Sequence, residues 1–90
     1  MPSHSEDTPL RRLGATIRYY RRQRRLTQKA LAVQTGLDHT YLSQVERGHR
    51  NVSILSLLQI ARALQMPLSS LVASLEEFCQ SPTSPHQNSS

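Results

Sequence analysis

A chain of 90 residues with 37% hydrophobic content has material for one small domain, because a core of this size buries only about two-thirds of the surface its unfolded chain exposes. Its formal charge is +5, and eight of the eleven basic residues (Arg11, Arg12, Arg18, Arg21, Arg22, Arg24, Arg25 and Lys29) fall between positions 10 and 30, a stripe that favours a polyanion unless it is simply a solvated face. Cys79 stands alone, no apolar run approaches the roughly 20 residues of a membrane span, and the polar start MPSHSEDTP lacks the apolar centre of a signal peptide; an intrachain disulfide is excluded and a cytoplasmic protein with no membrane partner is expected.

Residues 1–8 are expected to be a flexible N-terminus, with Thr8 placed to cap a helix that takes Pro9 at its first position, where the missing N–H costs nothing. Leu10, Leu13, Ile17 and Tyr20 recur at three- and four-residue steps, while Arg11, Arg18, Arg22 and Arg25 fall mainly on other faces; the pattern predicts a first helix over 9–24. Thr27 is the next N-cap, although Ala30 stands where a capping box would place Glu or Gln, and a second helix is expected over 28–35. Asp38 caps a third over 39–47, ended by Gly48, and the polar loop of His49, Arg50 and Asn51 leads to Ser53 as the cap of a fourth. In that fourth helix, over 54–65, Ile54, Leu57, Leu58, Ala61 and Leu64 form one stripe, which Leu55 and Ile60 widen enough to predict burial on two sides. Pro67 separates it from a fifth helix whose face of Leu68, Leu71, Val72, Leu75 and Phe78 is longer than a small bundle needs, and is read as the interface of a homodimer. The Ser/Pro-rich end, 80–90, cannot bury enough surface to fold and is expected to be disordered, which leaves 9–79 as the domain.

Within that all-α domain one stretch, residues 28–47 (QKALAVQTGLDHTYLSQVER), organises the rest. Leu31 and Ala32 share a face, Gly36 and Leu37 break the helix, and Leu42 and Val45 resume an apolar face beyond the break, which is the helix-turn-helix pattern. Small Ala32 admits the second helix of the pair, and Gly36 supplies the positive φ that ends the first. A helix of this kind reads DNA through side chains that hydrogen-bond to base edges, and the exposed positions near its start are His39, Thr40, Ser43 and Gln44. Tyr41 either packs its ring against the second helix or turns its hydroxyl to a phosphate or base step; Lys29, Arg47, Arg50 and Asn51 are candidate backbone contacts. His4, His39, His49, His86 and Cys79 show no metal-ligand spacing, and no Gly-rich phosphate loop or GxSxG elbow occurs, so no active site, metal or cofactor is expected.

The run RRLTQKALAVQTGLDHTYLSQVERGHRNVSILSLLQIARALQMPLSSL resembles the Cro/Xre class of helix-turn-helix regulators. The likeness is carried by Leu26-Thr27-Gln28, Leu31-Ala32, Gly36, Glu46-Arg47-Gly48 and Ala61-x-Ala63-Leu64; the segment over 37–43, followed by Glu46-Arg47-Gly48-x-Arg50-Asn51, looks most like the restriction-modification controller branch. Three positions depart from the pattern: Arg25 and Gln65 stand where glycines are usual, and Val52 where proline is common. The resemblance implies a five-helix Cro/phage-repressor-like domain, a structural ion pair between Arg21 and Glu46, and a backbone phosphate held by Gln28 at the amino end of the second helix. It further implies a transcriptional regulator that binds a palindromic operator in double-stranded DNA, with repression, including that of its own gene, as the expected sign. An antitoxin-like protein with a toxin partner and a coactivator-like interaction module share the motif and stay open at this level.

Overall fold

The computed structural model describes residues 8–79, with side chains as far as Glu76. The expected flexible start up to Asp7, the expected disordered tail and the side chains of Phe78, Cys79 and His86 lie outside the described residues. The chain forms α1 (Pro9–Gln23), α2 (Gln28–Thr35), α3 (His39–Glu46), α4 (Ile54–Ala63) and α5 (Leu68–Cys79), with no strand among the described residues. Extended residues with oxygen-bearing side chains start the first four: the hydroxyls of Thr8, Thr27 and Ser53 accept from the N–H groups of Arg11, Ala30 and Ser56, and Asp38 Oδ2 accepts from Thr40 at 2.9 Å and Tyr41 at 3.2 Å. The missing glutamate at position 30 therefore leaves only half of a capping box at α2, and the Thr27 half suffices.

Helices α1, α3 and α4 stop one or two residues before their expected ends, and the hydrogen bonds give the reason. After each, the chain turns left-handed at Arg25 (φ 58°), Gly48 (φ 76°) or Gln65 (φ 59°). These residues donate back to the carbonyls of Arg22, Val45 and Arg62, and their successors Leu26, His49 and Met66 donate to those of Arg21, Gln44 and Ala61. Each end is thus a Schellman motif, in which two inward N–H groups satisfy carbonyls the helix leaves over. Arg25 and Gln65, the two positions that lack the usual glycine, hold the glycine conformation regardless.

The core is made by Leu13 and Ile17 from α1, Leu31 and Ala32 from α2, Leu42 and Val45 from α3, Leu57, Ile60 and Ala61 from α4, together with Leu64 and Leu71. Helix α1 packs on α5 and α3, α2 on α3 and α4, and α4 on α5. The fourth helix corrects one expectation: it buries Leu57, Ile60 and Ala61, but Ile54 and Leu55 in its first turn are 61% and 70% exposed. Two glycines fix the seat of α3 against α1. A Cβ on Gly14 would run into the carbonyl oxygens of Val45 and Glu46, and one on Gly48 would meet the backbone of Arg11, so helix backbone lies directly on helix backbone along this seam.

Candidate nucleic-acid interface

Because Leu42 and Val45 point into the core, the residues between and before them turn outward: His39 and Thr40 are exposed, Ser43 and Gln44 half-exposed. The face they form stands on a buried ion pair. Glu46, 2% exposed, accepts from Arg21 Nε at 2.7 Å and Arg21 Nη2 at 3.0 Å, and the remaining nitrogen, Nη1, donates to the carbonyl of Leu26 at 2.8 Å. This forked geometry ties α1, the loop before α2 and the last turn of α3 together.

The network continues outward. Gln28 Nε2 donates to Glu46 Oε1 at 3.1 Å, and Gln28 Oε1 lies 3.3 Å from His39 Nε2. A carboxylate paired with arginine only accepts, so the amide nitrogen of Gln28 must face Glu46 and its oxygen must face outward. His39 Nε2 must then donate, and a neutral His39 ring carries its lone pair on Nδ1, an acceptor at the head of α3. Gln28 is accordingly half-buried and engaged twice. The groups at this helix end suited to a phosphate are the N–H groups of Gln28 and Lys29, since Thr27 already caps that of Ala30.

A second cluster forms across the turn after α3. Arg50 Nη1 donates to Gln44 Oε1 at 2.8 Å, and the Arg50 guanidinium sits 5.2 Å from the centre of the Tyr41 ring. Tyr41 is half-buried beside the core, so its ring packs inward and supports Arg50 at once. Gln44 is a candidate for bases and Arg50 for phosphates, and the bond joins them: Arg50 occupies one of the two lone pairs on Gln44 Oε1 and leaves the amide nitrogen free. Thr40 lies exposed between the two clusters, and Lys29, Arg47 and Asn51 are exposed around them.

On α5 the picture narrows. Leu71 is fully buried in the protein's own core and cannot serve an interface between copies; its side chain is already packed beneath α1 and α4. Leu68, Val72 and Leu75 are partly buried, and the Phe78 side chain lies outside the described residues. Sequence reasoning also passed over Gly14, although a glycine in the middle of a strongly patterned helix was a signal for close backbone approach. Among the described residues no group of three His, Cys, Asp or Glu is placed to hold a metal ion.

The Helix-turn-helix family model (HTH_3) matches residues 17–71. The control protein C.MunI from a Mycoplasma species is 37% identical over 67 residues, which cover 73% of this chain and 90% of that protein. Among solved structures, the restriction-modification controller protein C.AhdI from Aeromonas hydrophila is 40% identical with a TM-score of 0.68, the match covering 69% of this chain and 94% of that one. C.Esp1396I bound to a 19-base-pair DNA duplex matches with a TM-score of 0.69 and 31% identity, over 79% of this chain and 95% of the other.

Proposed function

Because this chain belongs to the Xre/Cro-type helix-turn-helix family, we propose that it is a sequence-specific DNA-binding transcriptional regulator of the controller kind, acting in the cytoplasm as a homodimer on a palindromic operator. The observation that carries this reading is the polar face of α3, His39, Thr40, Ser43 and Gln44, raised on the buried Arg21–Glu46 pair and held at both ends by Asp38 and Gly48. An eight-residue helix so fixed can enter a major groove without ordering any segment first, and ordering is the part of recognition that weakens binding.

Each side chain then has a role set by its surroundings. His39, with its acceptor at Nδ1, suits a base-edge donor such as the amino group of adenine or cytosine; Thr40 and Ser43 give or take one hydrogen bond each. Gln44 offers its amide nitrogen while Arg50 holds its oxygen. The backbone N–H groups of Gln28 and Lys29 at the start of α2, with the Gln28 side chain beside them, and Lys29, Arg47, Arg50 and Asn51 at the rim hold backbone phosphates, which set register but carry no code. Two such units related by a two-fold axis through the outer side of α5 (Leu68, Val72 and Leu75) would seat two copies of α3 in successive major grooves, with half-site centres roughly 10 base pairs apart. Occupancy of such a site across a promoter represses, and a controller placed on its own promoter regulates itself.

The test is selection of bound sequences from random duplex DNA. A palindrome with that half-site spacing is the expected product; recovery of no preferred sequence would leave the fold serving a protein partner instead.

A further inference from the structure

Two cations, Arg11 and Arg18, play no part in the interface described so far, and both lie beside the last turn of α3. Arg11 and Arg18 lie seven residues apart on α1 with Ala15 between them, so they share one stripe of that helix. With Glu46, Arg47 and His49 this stripe lines an open cleft of about 450 Å³. Its walls are set by backbone: Gly48 lies against the backbone of Arg11, and Gly14 against the last carbonyls of α3. Among the described residues its charge is one-sided: the one carboxylate lining it belongs to Glu46, which Arg21 and Gln28 already engage, and Arg18 Nε stands 4.0 Å away, beyond hydrogen-bond distance. Neither Arg11 nor Arg47 has an acidic partner among the described residues.

We propose that this cleft is a seat for a DNA backbone phosphate beyond the bases that α3 reads, with Arg11 and Arg18 as its principal donors. The inference rests on the regulator reading above and adds α1 to the surface that meets the duplex. Two features orient the cleft toward DNA. Arg47 follows Ser43 and Gln44 by four and three residues and continues their face of α3. Glu46 Oε1, which Arg18 approaches, is the same atom that Gln28 Nε2 engages at 3.1 Å, so the cleft and the amino end of α2 are separated by a single carboxylate. A phosphodiester brings one negative charge and two free oxygens, the geometry that forked guanidinium donors match. A small phosphate-bearing molecule offers the same chemistry, and the experiment separates the two.

The Arg11→Gln/Arg18→Gln double variant and the wild type are titrated onto duplex DNA of random sequence across a salt series, by fluorescence anisotropy. The expected result is weaker binding with a log–log salt slope shallower by about two, one unit for each lost phosphate contact. A slope equal to the wild type's overturns the proposal. In a second arm the free proteins are titrated with inorganic phosphate and with pyrophosphate; saturable binding that the double variant loses, beside an unchanged duplex slope, identifies a small-anion site and equally overturns it. A wild type that binds no duplex at all overturns the regulator reading and this inference with it, whereas wild-type binding with an unaltered variant slope removes the cleft alone. Should the double variant fail to fold, Arg11→Gln, at an exposed position, carries the same test with a slope change of about one.

Discussion

Gly14 is the residue on which the seating of α3 turns. Alanine is ordinarily the better residue inside a helix, yet here its methyl group would enter the space of the Val45 and Glu46 carbonyls, which are backbone and cannot rotate away. Gly14→Ala is therefore expected to destabilise by about 2–3 kcal/mol in thermal or urea unfolding, at the upper end of overpacking costs. The opposite sign is expected at Arg25 and Gln65. Each holds a left-handed conformation that costs an L-residue about 1–2 kcal/mol, part of which a glycine returns through its freer unfolded chain, so Arg25→Gly and Gln65→Gly should each raise stability by about 0.5–1 kcal/mol. Arg24 Nε donates to the carbonyl of Leu64, which joins the two caps, so the double variant is where departure from additivity should appear. At the reading face, Gln44 and Arg50 are bonded to one another, and a double-mutant cycle in operator binding should give a coupling of about 0.5–3 kcal/mol. Independent losses from Gln44→Ala and Arg50→Ala would mean that the pair separates on DNA.

At the scale of elements, α3 depends on α1 more than on its own eight residues. So short a helix is marginal by itself, and its position comes from the Asp38 cap, the Gly48 turn and the ion pair. Replacing Arg21 with methionine would leave the Glu46 carboxylate buried without its cation, at an expected cost of about 3 kcal/mol or more, whereas an exposed pair would be worth under about 1 kcal/mol. The measurement is the melting temperature of Arg21→Met, and no change there would show that the pair contributes nothing. Calorimetry of the Arg21→Met/Glu46→Leu double variant separates the two contributions: recovery of stability with continued loss of DNA binding would assign the pair to the placement of Gln28 and His39 rather than to the fold.

For the whole molecule the deciding surface is the outer side of α5. With Leu71 committed to the core, Leu68, Val72 and Leu75 are what the described part of the helix offers a second copy. Leu75→Glu is expected to shift sedimentation from dimer to monomer at tens of micromolar, an order of magnitude suited to a modest interface, while leaving the monomer's helical content intact. Its operator binding should fall although position 75 lies on α5 and not on the reading helix, because a dimer is what would place two α3 helices at once. A variant that stays dimeric would move the interface elsewhere.

The amino-acid sequence by itself determined the order and starts of the helices, since the Thr8, Thr27, Asp38 and Ser53 caps and the three-to-four-residue spacing of Leu13, Ile17, Leu31, Leu42 and Val45 act within a turn or two of the chain. It also carried the family, through Glu46-Arg47-Gly48 and its neighbours, and with it the outward positions of α3. What only the tertiary structure decided depends on distance between segments far apart in the chain. Periodicity put Ile54 in one stripe with Leu57, and Leu55 with Ile60 at its widened edge, but burial requires a neighbour, and among these four only Leu57 and Ile60 are buried, on a helix that packs against α2 and α5. Nor does any local pattern state that Gln44 meets Arg50, that Gln28 stands between His39 and Glu46 and so fixes which nitrogen of the imidazole donates, or that Arg11 and Arg18 share a cleft with Arg47. The Gln44–Arg50 bond belongs to the turn after α3 and the others to three helices meeting at one corner, and all exist only once the chain has folded.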